Sequence, residues 1–398
     1  MTLALEGIKI LDISRVGIAG FSTMILGDLG AEVIKIETPR KEAGPYLGSS
    51  VSPLGEEGRA EAAYQAINRN KKSIALNLHS EQGRQIFYQL AEKTDVIIEG
   101  FRPGVVKRMG VDYETIKKMN PRVVYCSISG YGQDGPYRDM PGHDPNYIAI
   151  GGALGLIGQP DGPPILPLNY VGDWAGGSLH ATIGILVALM ARERTGRGQF
   201  VDVSMTDGVI ALTGLLFARD YFRTGAVPKR GEIPLFSQPF IGVYETRDGE
   251  FITLGCMEPH FWKNLCHALG REDFIPYQYT EGGKRDEIFS YFREVFLTKT
   301  KDEWFNLLRQ KEICIAPVYE LNEVFSDPQV LHRQMVVEVD DPAVGKIKQV
   351  GIALKFSETP GEIRSTAPIL GEHTQEILQN LGYSEQVIDG LYKSGVVG

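Results

Sequence analysis

Short apolar runs alternate with helical stretches through the first third of the chain. Residues 8–13 (IKILDI) and 33–36 read as buried strands. Between them Phe21, Met24, Ile25 and Leu29 recur at helical spacing, with Gly30 placed to end the helix. The pattern repeats as a helix over 80–92, a strand over 95–99 (DVIIE), a helix near 113–119 and a strand over 122–127 (RVVYCS). Strands that alternate with helices predict a mostly parallel sheet covered on both faces, and right-handed crossovers make an open, doubly wound sheet the natural outcome. The fold class is therefore α/β, with a Rossmann-like open parallel sheet as its larger part.

A long helix is expected from Asp173 to about Glu193, with Gly196 as its cap. The texture then changes. IGVYETRDGEFITLG alternates around Asp248-Gly249, a strong hairpin signal. Aromatic-rich helices follow near 260–269 and 286–296, so a smaller α+β domain is expected over 231–310. Two short helices close the chain, one ended by Gly382 and the next started by Ser384. Residues 41–63, rich in Gly, Pro and Glu, read as a surface loop.

Composition narrows the class. The 398 residues are 43% hydrophobic and 23% charged, with a net charge of −9. An acidic chain is a poor ligand for nucleic acid or anionic membrane. The apolar stretch 175–191 is broken by Ser178, His180, Thr182 and glycines, which favours a buried helix over a membrane span. Four cysteines without metal-ligand spacing, and an N-terminus without a leader pattern, point to a reducing cytoplasm. No metal site is expected.

Several residues carry candidate chemistry, each with a plainer alternative. Gly130-x-Gly132-x-x-Gly135 matches the dinucleotide fingerprint, but Pro136 and a Gly/Pro-rich stretch follow where a helix would have to begin. The basic run Asn68-Arg69-Asn70-Lys71-Lys72-Ser73 is either a solvated charge run or an anion site. Arg102 lies just beyond DVIIE, at the carboxyl end of a strand, where open α/β sheets bind ligands. His143 stands in PGHDPNY at a helix start, and satisfaction by a neighbour such as Asp144 is its structural alternative. Asp173, in NYVGDWAGG, is either an N-cap or a functional carboxylate beside glycines that let a ligand approach. Glu258, in GCMEPHFW, is by local pattern a cap.

Taken together, SGYGQDGP, GHDPNY, LPLNYVGDWAGGS, TGRGQFVDVSM, CMEPHFW, CIAPVYE and GEHTQEIL resemble α-methylacyl-CoA racemases in order and spacing. GDLGAEVIKIE, NRNKKSIALNL and EGFRPGV resemble the wider family III CoA-transferases (CaiB/BaiF). The resemblance implies an interlocked homodimer whose large CoA-binding domain comprises residues 1–200 and the C-terminal part of 311–398. Residues 201–230 would be a linker, 231–310 the small domain, and the start of 311–398 the return linker. It implies His143 and Asp173 as an acid/base pair and Glu258 of the other subunit as the partner of His143. CoA would be held near Arg69, Lys71, Lys72, Arg102, Gly130 and Tyr131. No cofactor is implied, since CoA enters with the acyl-CoA thioester.

Removal of a proton α to a thioester needs a positioned base and a stabilised enolate, and inversion needs two groups on opposite faces. Backbone N–H groups beside Asp173 are candidates for the enolate oxygen. In the transferases the residue matching Asp173 instead attacks the thioester carbonyl. A racemase or epimerase of 2-methylacyl-CoA thioesters is the leading expectation. A CoA-transferase is the alternative, and a non-catalytic CoA-binding subunit is the third reading. The stretch 231–240 departs from the racemase pattern, and so does Val16-Gly17-Ile18-Ala19-Gly20. Leu235, Phe236, Phe240, Phe261 and Trp262 hint at an apolar or aromatic acyl group, with ordinary core as the alternative.

Overall fold

The computed structural model describes residues 2–15, 17–39, 62–231, 233, 237–342 and 345–398. The chain divides into two compact units, one formed by Met1–Leu154, Leu166–Leu215 and Gln329–Gly398, the other by Gly155–Ile165 and Leu216–Pro328. The loop expected over 41–63 falls almost wholly outside the described residues.

The first unit is built on six parallel strands: β1 (Lys9–Asp12), β2 (Glu32–Glu37), β3 (Lys71–Ala75), β4 (Val96–Glu99), β5 (Val124–Ser129) and β6 (Phe200–Ser204). Their order is β3-β2-β1-β4-β5-β6, with Ile10 paired to Val33 on one side and Val96 on the other. This is the strand order of the doubly wound dinucleotide-binding sheets, whose ligand crevice lies outside the carboxyl ends of the strands. The helices of this unit include α1 (Gly17–Asp28), α2 (Glu81–Ala91), α3 (Asp144–Ile150), α4 and α5 (Met205–Leu212), and the helix expected near 113–119 is a single turn, Tyr113–Ile116. Helix α4 opens as a π-helix, Tyr170–Leu179, and runs on as an α-helix, His180–Thr195. Ser80 caps α2 by accepting a hydrogen bond from the Gly83 N–H at 3.0 Å.

One difference from the sequence reading concerns the expected 201–230 linker. Its first residues belong to β6, which pairs with β5, and Phe200 stacks on Tyr125 at 6.1 Å. The sheet therefore takes its last strand from beyond α4.

The second unit contains a three-stranded antiparallel sheet, β7 (Ile241–Glu245), β8 (Phe251–Gly255) and a later strand, β9 (Ile315–Pro317). The hairpin turns at Asp248-Gly249, where Gly249 takes φ +76° and its N–H reaches Thr246 O at 3.0 Å. Helices α6 (Pro259–Ala268), α7 (Gly283–Phe296) and α8 (Lys301–Leu308) pack on this sheet through Trp262, Phe292, Phe296 and Trp304.

The chain then returns to the first unit as a hairpin, β10 (Val336–Asp341) and β11 (Gly345–Val350), and ends in α9 (Thr374–Asn380) and α10 (Glu385–Lys393). Gly382 closes α9 at φ +92°, and Ser384 holds the N-cap position of α10 without a side-chain hydrogen bond. One face of the main sheet is buried under α2, α9 and α10 through Phe87, Leu90, Ile377, Leu378 and Leu391. The other is buried under α1 and α4 through Leu26, Ala181, Ile185 and Leu189.

Candidate functional site

The segment after β5 carries GYGQDGP as a loop: Gly132 N–H donates to Ser129 Oγ and Gln133 N–H to Asp202 Oδ2, and no helix follows. The loop leads to His143, which is extended (φ −137°, ψ 178°), exposed, and stands at the N-cap of α3. Its N–H donates to Asn146 Oδ1 at 3.0 Å, the Asn146 half of a capping box at the start of α3.

Asp144, the next residue, turns inward and is 2% exposed. It does not satisfy His143, the alternative the sequence left open. Its Oδ2 accepts from the Gly172 N–H and the Asp173 N–H, both at 2.8 Å. One carboxylate thus takes two orphan donors in the first turn of α4 and joins α3 to it. These are the N–H groups that the sequence reading offered to an enolate, and they are already committed.

Asp173 is not an N-cap. It lies inside the π-helical turn, a local distortion frequent at functional sites, four residues past Asn169 at the helix start. Its Oδ2 receives a long hydrogen bond of 3.4 Å from Asn169 Nδ2, and its buried Oδ1 has no partner among the described residues. Asn169 Oδ1 in turn accepts from Trp174 Nε1 at 3.1 Å, and Leu168 just before it is held at φ +58°, a costly region for leucine. Burial pushes the Asp173 carboxyl up to about 6, with the Asp144 charge adding to the rise while Asn169 and His143 oppose it.

Tyr147, on α3, shares this neighbourhood. Burial raises its hydroxyl to about 12, with Asp173 adding to the rise and Arg102 opposing it. Arg102 therefore lies within electrostatic range of the site, on the loop beyond β4, and is exposed. Beneath that loop Glu99, 1% exposed, accepts the Phe101 N–H at 2.6 Å. Burial raises its carboxyl to about 7 against the hydrogen bonds from Ser127 and Phe101.

Other expected CoA contacts are engaged elsewhere. Arg69 is 3% exposed, donates to both Asp28 oxygens (3.0 and 2.6 Å) and reaches Val350 O. Lys71 is also 3% exposed, its Nζ 2.9 Å from Gly20 O, 3.0 Å from Asn68 Oδ1 and 3.5 Å from Asp12 Oδ2. Both are buried with their charged ends engaged by these partners, so neither is presented to a ligand. Lys72 is partly exposed and paired with Glu376 at 2.6 Å. Gly130 is required by packing, since a Cβ there would stand 2.3 Å from the Tyr147 ring, and Tyr131 packs edge-on against Tyr147 at 5.2 Å.

The glycines of GDWAGG likewise serve packing rather than ligand approach. A Cβ on Gly172 would meet Asp144 Oδ2 at 2.7 Å, and one on Gly176 would meet Met205 O at 2.7 Å. Glu258 is exposed at the N-cap of α6, in the second unit, with no side-chain cap bond. Phe240 and Trp262 are core of that unit, 0% and 1% exposed, and Phe261 packs against it. Leu235 and Phe236 lie outside the described residues.

The residues that sequence reasoning missed are Asp144 and Glu99. Asp144 was visible in GHDPNY only as a neighbour of His143. Nothing local announces a partner 29 residues away.

Known proteins agree with this architecture. Residues 5–374 match the family described as CoA-transferase family III. Alpha-methylacyl-CoA racemase of Homo sapiens is 32% identical over 396 residues, spanning 99% of this chain and 98% of its own. Formyl-CoA:oxalate CoA-transferase of Escherichia coli O157:H7 is 34% identical over 424 residues, spanning both chains completely. The crystal structure of a CaiB/BaiF family protein from Brucella suis superposes with a TM-score of 0.80 at 29% identity, covering 96% of this chain and 100% of the other. With its six-stranded parallel sheet and near-complete match, the chain belongs to the family III CoA-transferases, the CaiB/BaiF family.

Proposed function

We propose that this protein inverts the α-carbon of 2-methylacyl-CoA or related 2-substituted thioesters. The observation that carries this reading is the Asp173 carboxyl, raised to about 6 and within electrostatic reach of His143. A carboxyl in that range exchanges protons readily near neutrality. A general acid/base pair makes direct use of this property. One of His143 and Asp173 removes the C2 proton, leaving the enolate of the thioester. The other delivers a proton to the opposite face, and the groups exchange roles in the reverse direction. Glu258 orients His143 from the other subunit of a homodimer.

A self-complementary contact is supported by α4, which leaves Leu179, Ile183, Val187 and Met190 between 42% and 68% exposed along one side. Light scattering at micromolar concentration is expected to report a dimer, and a monomer would remove the shared site. Arg102 is the side chain we assign to the CoA phosphates. A second reading has its own support: Asp173 Oδ1, without a partner among the described residues, is suited to attack a thioester carbonyl, as a CoA-transferase requires.

The deciding experiment incubates the chain with a 2-methylacyl-CoA in D₂O without an acceptor acid and follows C2 deuteration by mass spectrometry. Incorporation lost in His143→Ala and Asp173→Asn supports the racemase. No incorporation, together with a hydroxylamine-trappable acyl group on Asp173, makes the protein a transferase.

A further inference from the structure

We infer that Asp144 is a positioning residue for Asp173, its carboxylate clamping the Gly172 and Asp173 N–H groups and so setting where the reacting carboxyl is presented. The inference rests on the reading that Asp173 reacts, which the racemase and the transferase share.

Three observations carry it. Asp144 is 2% exposed, and burying a carboxylate is unfavourable unless its oxygens are satisfied. One oxygen is doubly satisfied by α4, at 2.8 Å to each N–H, while the buried Oδ1 has no partner among the described residues. The half-satisfied carboxylate sits against the positive end of α4, where a helix favours an acidic side chain. The approach is also close, since a single Cβ on Gly172 would stand 2.7 Å from Asp144 Oδ2. Clamp and π-helical turn therefore form one rigid piece, and Asp173 cannot move along the helix axis without breaking both hydrogen bonds.

The charged and titratable groups facing Asp173 are few. Helix α3 brings Asp144, His143 and Tyr147, and the turn before α4 brings the neutral Asn169. Among the described residues, α1, α5, β5 and β6, which also pack against this turn, bring none that acts on Asp173. Among the described residues Asp144 is the one carboxylate acting on Asp173, so removing its charge has a defined direction: Asp173 loses its proton more easily.

The test uses the full chain and two variants. In Asp144→Asn an oxygen remains to accept both N–H groups but the charge is gone, and in Asp144→Ala the clamp is lost. The Asp173 carboxyl is titrated by ¹³C NMR on chain labelled at aspartate Cγ, and its resonance is assigned by its absence in Asp173→Asn. Its midpoint is expected to move to lower pH in Asp144→Asn. In the exchange assay Asp144→Ala is expected to lose about 10²-fold in kcat with KM little changed, the order of loss that misplacing a reacting group brings. Asp144→Asn is expected to retain kcat within about tenfold, with the acid limb of its pH profile shifted as the NMR midpoint shifts.

An unmoved Asp173 midpoint in Asp144→Asn overturns the inference, as does full kcat in a folded Asp144→Ala. If Asp144→Ala does not fold, the Asp144→Asn titration decides alone. Because the titration needs no substrate, a shifted midpoint in a chain that exchanges no deuterium sinks the racemase reading and leaves the clamp standing.

Discussion

Asp173 is held against its own stability. Its ordinary value of 3.8 is raised to about 6, so between those limits the folded chain binds a proton that the unfolded chain has released. Stability contributed by this group is therefore present at low pH and lost as pH rises through about 6. Asp173→Asn removes the titration. Its melting temperature is expected to match wild type near pH 4 and to exceed it above pH 7, as differential scanning fluorimetry across that range would show. A variant equally stable at both ends would mean that the carboxyl is solvated. His143 and Asp173 were legible in the sequence as candidates because GHDPNY and GDWAGG are compact motifs. Their electrostatic coupling was not, because it depends on Asp144 turning away from His143 toward a helix 29 residues on.

At the scale of elements, the basic run before β3 shows how the same letters take opposite roles. Arg69 and Lys71 read from sequence as part of either a solvated charge run or an anion site, and the family resemblance put CoA near them. In the structure they knot α1, β3 and the returning chain together. Asn70, in the left-handed region at φ +59°, donates to Asp28 Oδ1 and Glu362 O and accepts from the Arg364 N–H at 2.6 Å. Lys71 faces Asp12, whose carboxyl burial would raise but which Lys35, Lys71, Ser14 and Thr23 hold well below the usual range. Burial brings Lys71 itself down to about 8 against the pull of Asp12. Lys71→Met leaves the Asp12 charge buried with less compensation and is expected to cost about 3–5 kcal/mol in urea unfolding. A surface CoA contact would instead raise KM and leave the urea midpoint alone. The β-α-β alternation, the Asp248-Gly249 hairpin and the closing helices were readable because periodicity and turn chemistry are local. The roles of β6 and β9 were not, because each joins its sheet from across another element.

At the scale of the molecule, the first unit is assembled from the two ends of the chain. The Gly398 N–H bonds to Ala75 O, Asn77 N–H to Val396 O, and Leu76 bridges to Val397, so the C-terminus closes against the edge strand β3. Removing residues 368–398 strips α9 and α10 from a sheet face that buries Ile74, Leu76 and Ile97. The truncated chain is expected to be recovered in the pellet fraction, and a soluble, cooperatively melting product would contradict this. The same closure has a consequence during synthesis. The sixth strand is complete at Ser204, whereas α9 and α10, which cover part of one sheet face, begin only at Thr374. Over that interval the nascent sheet carries a partly uncovered apolar face and an open edge at β3, both of which invite aggregation. The chain is therefore expected to depend on holding factors until α9 and α10 have been made and have docked.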